Sequence, residues 1–104
     1  MTEALHHDSG KLRYSLLPSH ATTEVVRVME YGATKYAPEN YLKGGGLDVT
    51  RLWDSCMRHM WAVRCGELVD PESGCPHMSH VAADAMMMRE IILMRERTLA
   101  EGKP

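Results

Sequence analysis

Histidines and carboxylates crowd one segment of this chain, from Arg51 to Met88, with the sequence "RHMWAVRCGELVDPESGCPHMSHVAADAMMM" at its centre. His59 precedes a short acidic connector bearing Glu67, Asp70 and Glu72; His77, His80 and Asp84 follow it. His77, His80 and Asp84 are spaced by three and four, which puts two imidazoles and a carboxylate on one helical face. Such a face suits metal ligation or a base acting on a phosphate ester. Three carboxylates in six residues exceed what a turn needs, whereas a hard divalent cation gathers oxygen ligands of this kind. Glu67, Asp70, Glu72 and Asp84 are therefore the candidate metal ligands, with His59, His77, His80 and Asp84 as candidate catalytic groups. His59 falls among apolar positions of its helix, where a histidine is equally at home as a hydrogen-bonded core residue.

Elements must bring these residues together, and the pattern is helical. Nine methionines and no phenylalanine, with almost no period-two alternation, predict an all-α fold. A first helix is expected from about Ser19, capped by Ser19, Thr22 or Thr23. Its buried face is Val25, Val28, Met29, Gly32, Ala33 and Tyr36. Gly32 within it predicts close approach of a helix or a ligand. Pro38 ends the helix, and Gly44-Gly45-Gly46 predicts a flexible or ligand-hugging loop.

A second helix is expected from Asp48 or Thr50 to about Gly66. Its stripe is Leu52, Cys56, His59, Met60 and Val63, widened by Trp53, Met57 and Trp61. The third begins at Pro76, a favoured first helical position, and runs to about Leu99. Its later part, "AMMMREIILMRERTLAEGKP", is apolar nearly all round before turning charged. The prediction is a single domain over residues 1–104: a bundle of three main helices completed by oligomerisation, as a dimer or tetramer. Residues 1–10 are read as a loose arm.

Cations and aromatics elsewhere suggest a nucleotide. Lys11 and Arg13 flank apolar Leu12, with Leu16 and Leu17 expected to anchor the segment; the pair suits a phosphate clamp or a solvated surface. Lys35, Tyr36, Asn40 and Tyr41 combine a cation, stacking surfaces and an amide, as purine recognition requires. Arg58 is a further phosphate candidate.

The chain has 104 residues and a formal net charge of -2, which suits one modest core and argues against a nucleic-acid backbone partner. The absence of a signal-peptide pattern or membrane-length apolar run predicts a protein that stays in the cytoplasm of whatever cell makes or hosts it. Cys56, Cys65 and Cys75 are read as free thiols, with Cys75 a minor thiolate-ligand candidate.

Three stretches, "DSGKLRYSLLP", "YGATKYAPENY" and "RHMWAVRCGELVDPESGCPHMSHVAADAMM", resemble the phage dATP/dGTP diphosphohydrolase (MazZ-like) family. That family is distantly similar to the all-α MazG-type nucleoside triphosphate pyrophosphohydrolases. The resemblance spans about residues 8 to 95, and its most specific block is RH-x-WA followed by GE-x-x-DPESG-x-PH. It implies hydrolysis of dGTP or dATP to the monophosphate and pyrophosphate with Mg²⁺ or Mn²⁺; in some phages this feeds synthesis of 2-aminoadenine nucleotides. The implied nucleotide contacts are Lys11, Arg13, Lys35, Tyr36, Asn40 and Arg58.

One departure matters. MazG-type enzymes hold magnesium with E-x-x-E on one helix and E-x-x-D on the next. This chain has no E-x-x-E, and its E-x-x-D, Glu67 to Asp70, falls where the second helix should end. Either histidines replace carboxylates, or the protein binds and sequesters a nucleotide immune signal without hydrolysing it. A third reading makes the histidine turn a polar staple between two helices.

Overall fold

The structure is a computed structural model that describes residues 2–102. Three helices dominate it: α1 (Ser19–Lys35), α2 (Val49–Arg64) and α3 (His77–Ala100), with short 3-10 turns at Tyr14–Leu16 and Asn40–Gly45. The all-α expectation holds: the described residues contain no strand, only an isolated bridge between Val69 and Pro76.

Helix boundaries follow from local chemistry. Asp48 caps α2, its carboxylate accepting from the Thr50 backbone N–H at 2.9 Å. After α2 the chain reverses at Gly66, whose φ of 95° is open to glycine at little cost. Two starts differ from expectation. Pro18 occupies the cap position of α1 without a side-chain cap, while Thr23 Oγ1 bonds back to the Ser19 carbonyl instead. Pro76 sits at the cap position of α3, one residue outside the helix.

Packing is one-sided. α3 lies between α2 and α1 and contacts both. The buried core of the described residues consists of Val28, Leu52, Ala83 and Ile91, together with polar His77, Ser79, His80 and Asp84. Trp53, Met57 and Trp61, expected to widen the buried stripe of α2, are exposed, because only one side of that helix meets a partner. Tyr36 is also exposed. Leu12, Leu16 and Leu17 do not anchor the N-terminal segment, since all three stay mostly accessible to solvent.

The glycine loop behaves differently from its prediction. It is fastened to α3 by Arg95, which donates to the carbonyls of Gly45, Gly46 and Leu47. Gly46 has φ 98°, and a Cβ there would stand 2.9 Å from Ile91 Cγ2. At Gly32, where the sequence predicts a helix or a ligand close by, an added Cβ would meet no protein atom within 4 Å, so no helix approaches there.

Candidate functional site

The connector between α2 and α3 is a tight folded turn that turns Asp70 and Ser73 inward and leaves Glu67 and Glu72 largely exposed. His77 N–H bonds to the Leu68 carbonyl, Asp70 N–H to the Cys75 carbonyl and Gly74 N–H to the Asp70 carbonyl. Asp70 Oδ1 accepts from the Glu72 backbone N–H at 3.1 Å. Its other oxygen, Oδ2, accepts from the Ser73 hydroxyl at 3.0 Å. Ser73 Oγ also lies 2.6 Å from His80 Nε2 and accepts from the Cys75 backbone N–H. These bonds outweigh the upward push of burial and hold the Asp70 carboxyl below its ordinary pKa.

His59, Asp70 and His80 converge here. Each offers a ligand atom, and the three atoms lie within 4.8 Å of one another. The His59 and His80 rings stack with centroids 4.2 Å apart and 9° between planes. Burial, assisted for His59 by the two neighbouring imidazoles, lowers both pKa values. Both rings therefore favour the neutral form, the state in which an imidazole can ligate a metal. Two imidazoles and a carboxylate form a mixed nitrogen and oxygen donor set, which suits a first-row transition-metal dication more than Mg²⁺, a cation that prefers oxygen ligands throughout.

The other predicted residues take different places. His77 is buried between His59 and Glu67, with Nδ1 2.7 Å from His59 Nδ1 and Nε2 2.8 Å from Glu67 Oε1. A carboxylate only accepts, so His77 Nε2 carries a proton. When both rings are neutral, His77 Nδ1 then accepts from His59 Nδ1–H, and His59 Nε2 keeps its lone pair. Glu72 is drawn away to α1: Lys35 Nζ and Tyr31 Oη approach its Oε1 at 2.7 and 2.9 Å. Those bonds lower the Glu72 pKa and raise those of Lys35 and Tyr31. Asp84 lies one helical turn beyond His80, outside the His59–Asp70–His80 group.

A cavity of about 530 Å³ opens beside the cluster between all three helices, within the range of small-ligand sites, roughly 300–1,000 Å³. His59, Asp70, Glu72, His80 and Asp84 line one side. Lys35, Tyr36, Asn40 and Arg58 line it as well, so these four anticipated nucleotide contacts share one space with the cluster. Lys11 and Arg13 do not: they stay in the exposed N-terminal segment, away from the cavity wall. The triple glycine is absent from the lining, and Cys75 is not part of the candidate metal group.

Several participants escaped the sequence reading. Tyr31 bonds Glu72 and meets the His80 ring edge-on at 6.3 Å; its position four before Lys35 on one helix face was a usable signal. Ser73 bridges Asp70 and His80, yet in sequence it is an ordinary turn residue. Arg51 and Ser55 line the cavity without any motif to mark them. Glu24 did not escape it: by sequence Glu24 or Glu30 of α1 could be a metal ligand if turned inward, whereas Glu24 accepts from Ser79, ties α1 to α3 and lies outside the candidate metal group.

Fold and cluster together define an all-helical protein whose histidine–carboxylate group could hold a metal ion beside a ligand-sized cavity. Residues 1–100 match the family described as dATP/dGTP diphosphohydrolase, N-terminal, and the chain belongs to that family. A curated relative from Salmonella phage PMBT28, named dATP/dGTP diphosphohydrolase, is 35% identical over 81 residues. That match covers 78% of this chain and 27% of the relative, so the chain spans about a quarter of the relative's length. No solved structure matches it significantly.

Proposed function

We propose that the cavity binds a purine deoxynucleoside triphosphate, dGTP or dATP, and that the chain hydrolyses it to the monophosphate and pyrophosphate. Water attacks the α-phosphorus, the bond to the β-phosphate oxygen breaks, and pyrophosphate departs. One observation carries this reading: His59, Asp70 and His80 converge on the wall of a cavity that also presents Lys35, Arg51 and Arg58. The family membership and the relative's name support the substrate class.

In this reading His59, Asp70 and His80 hold a divalent cation. Once bound, such an ion acidifies a water molecule and offsets phosphate charge. The protein's own contribution is positional. Ser73 holds Asp70 and the His80 edge in place, and the Glu67–His77 pair sets the protonated nitrogen of His59. Arg58, Arg51 and Lys35 steady the phosphates, Lys35 through an ammonium that Glu72 keeps oriented.

Incubation of the purified protein with dGTP or dATP, with Mn²⁺ or Mg²⁺ supplied separately, tests the proposal. Monophosphate and pyrophosphate should form, faster with Mn²⁺. Asp70→Asn and His80→Ala should each lower kcat by about a hundred-fold or more. If intact nucleotide is recovered from a saturated complex after long incubation, hydrolysis is wrong and sequestration replaces it.

A further inference from the structure

Asp84 sits away from the cluster and presents different chemistry to the same cavity. It is 5% exposed, and its Oδ2 has no hydrogen-bond partner among the described residues. A buried carboxylate oxygen without a donor is unfavourable unless something else supplies one. Ser55 hydrogen-bonds the carboxyl group, and the Arg58 charge acts on it from the same helix, α2. Buried Val28 and Leu52, with Met87, line the surrounding wall, which therefore offers apolar surface to a flat ring.

We infer that Asp84 reads the base of the bound nucleotide, accepting the ring N1–H and the exocyclic 2-amino group of guanine in its ionised form. This assignment rests on the nucleotide reading above. A carboxylate is an acceptor-only group with two oxygens side by side, and guanine's Watson–Crick edge offers two adjacent donors. Adenine offers one donor and one acceptor on that edge, so the ionised carboxylate matches only half of it. The base then lies on the α2–α3 floor while the phosphates extend toward Lys35 and the His59–Asp70–His80 group.

The test uses α,β-methylene analogues of dGTP, dITP and dATP, which bind without turnover, and measures their affinities calorimetrically in Mn²⁺ at pH 7.5. The inosine analogue keeps N1–H and lacks the 2-amino group. Wild-type protein should bind the guanine analogue about ten-fold more tightly than the inosine analogue. Asp84→Asn presents one acceptor and one donor. It should lose ten- to a hundred-fold in affinity for the guanine analogue, stop distinguishing it from inosine, and hold the adenine analogue as well as or better than wild type. Equal binding of guanine and inosine analogues by wild-type protein, or an equal loss for all three in the variant, overturns the assignment of Asp84 and leaves the nucleotide reading standing. If none of the three binds wild-type protein, the nucleotide reading itself fails and this assignment falls with it.

Discussion

At the scale of single residues, burial does most of the chemistry. Asp84 is a carboxyl group enclosed by the fold, and desolvation, opposed by Ser55 and Arg58, raises its pKa from 3.8 to about 6. A carboxyl whose pKa is raised on folding stabilises the protein in its protonated form. That contribution is complete below pH 3.8 and is lost as pH climbs through 6. The difference amounts to roughly 3 kcal/mol at neutral pH. Asp84→Asn should therefore be more stable than wild type at pH 8, by up to about that amount, and this advantage should shrink toward pH 4. Urea midpoints measured across that range check it; parallel pH profiles would mean that Asp84 is not the group responsible.

Glu67 shows the opposite combination, an accessible carboxylate whose importance is directional. Its side chain is 54% exposed yet bonds a His77 side chain that is only 7% exposed. Glu67→Ala should cost only about 1 kcal/mol, the low end for removing the partner of a buried donor, because water reaches the accessible side of the pair. Turnover should nevertheless fall ten- to a hundred-fold, because the orienting partner of His77, and through it of His59, is lost. Imidazole nitrogen shifts in metal-free protein give a direct check. Wild type should show His77 protonated at Nε2 and His59 at Nδ1, and the variant a mixture of tautomers.

At the scale of elements, the loop from Asn40 to Leu47 is held by backbone geometry and a single guanidinium. Gly46 needs a positive φ and the space against Ile91, which is fully buried. Gly46→Ala brings both strain and overpacking and should cost about 2–3 kcal/mol. Its urea midpoint should drop accordingly, whereas Gly44→Ala, strained in φ but meeting no atom within 4 Å, should lose less. The reversed order would show that the Gly46–Ile91 contact does not fasten the loop.

At the scale of the whole molecule, too much apolar surface remains uncovered for a compact monomer. The accessible surface is 8459 Å², against about 5,900 Å² for a typical monomer of this mass. The radius of gyration is 17.6 Å, against about 13 Å for a compact chain of this length. Trp53, Trp61, Met86, Leu12, Leu16 and Leu17 are among the large apolar side chains left exposed. We propose that copies of this chain associate through these surfaces, so light scattering should give a mass at least twice 11.7 kDa. A monomeric mass at micromolar concentration would contradict this. No helix among the described residues is long and apolar enough to cross a membrane.

The amino-acid pattern alone determined the all-α class, the three helices and their boundaries to within a residue or two. Those features follow from local rules: three-four apolar spacing, the Asp48 cap, and Gly66 at the end of α2. It also located the segment in which His59, Asp70 and His80 converge, because charge density near apolar sequence is visible without coordinates. Which of its groups meet was decided by tertiary structure. His77, His80 and Asp84 share one face of α3, yet each finds a different neighbour: His77 the Glu67–His59 pair, His80 the Asp70–Ser73 turn, and Asp84 the wall near Ser55. Spacing along one helix fixes direction, whereas distance to a partner depends on how α2 and the connector pack against it. The same reason moved Glu72 away to Lys35 and left Lys11 and Arg13 outside the cavity. It also turned an ordinary turn serine, Ser73, into the bridge between Asp70 and His80.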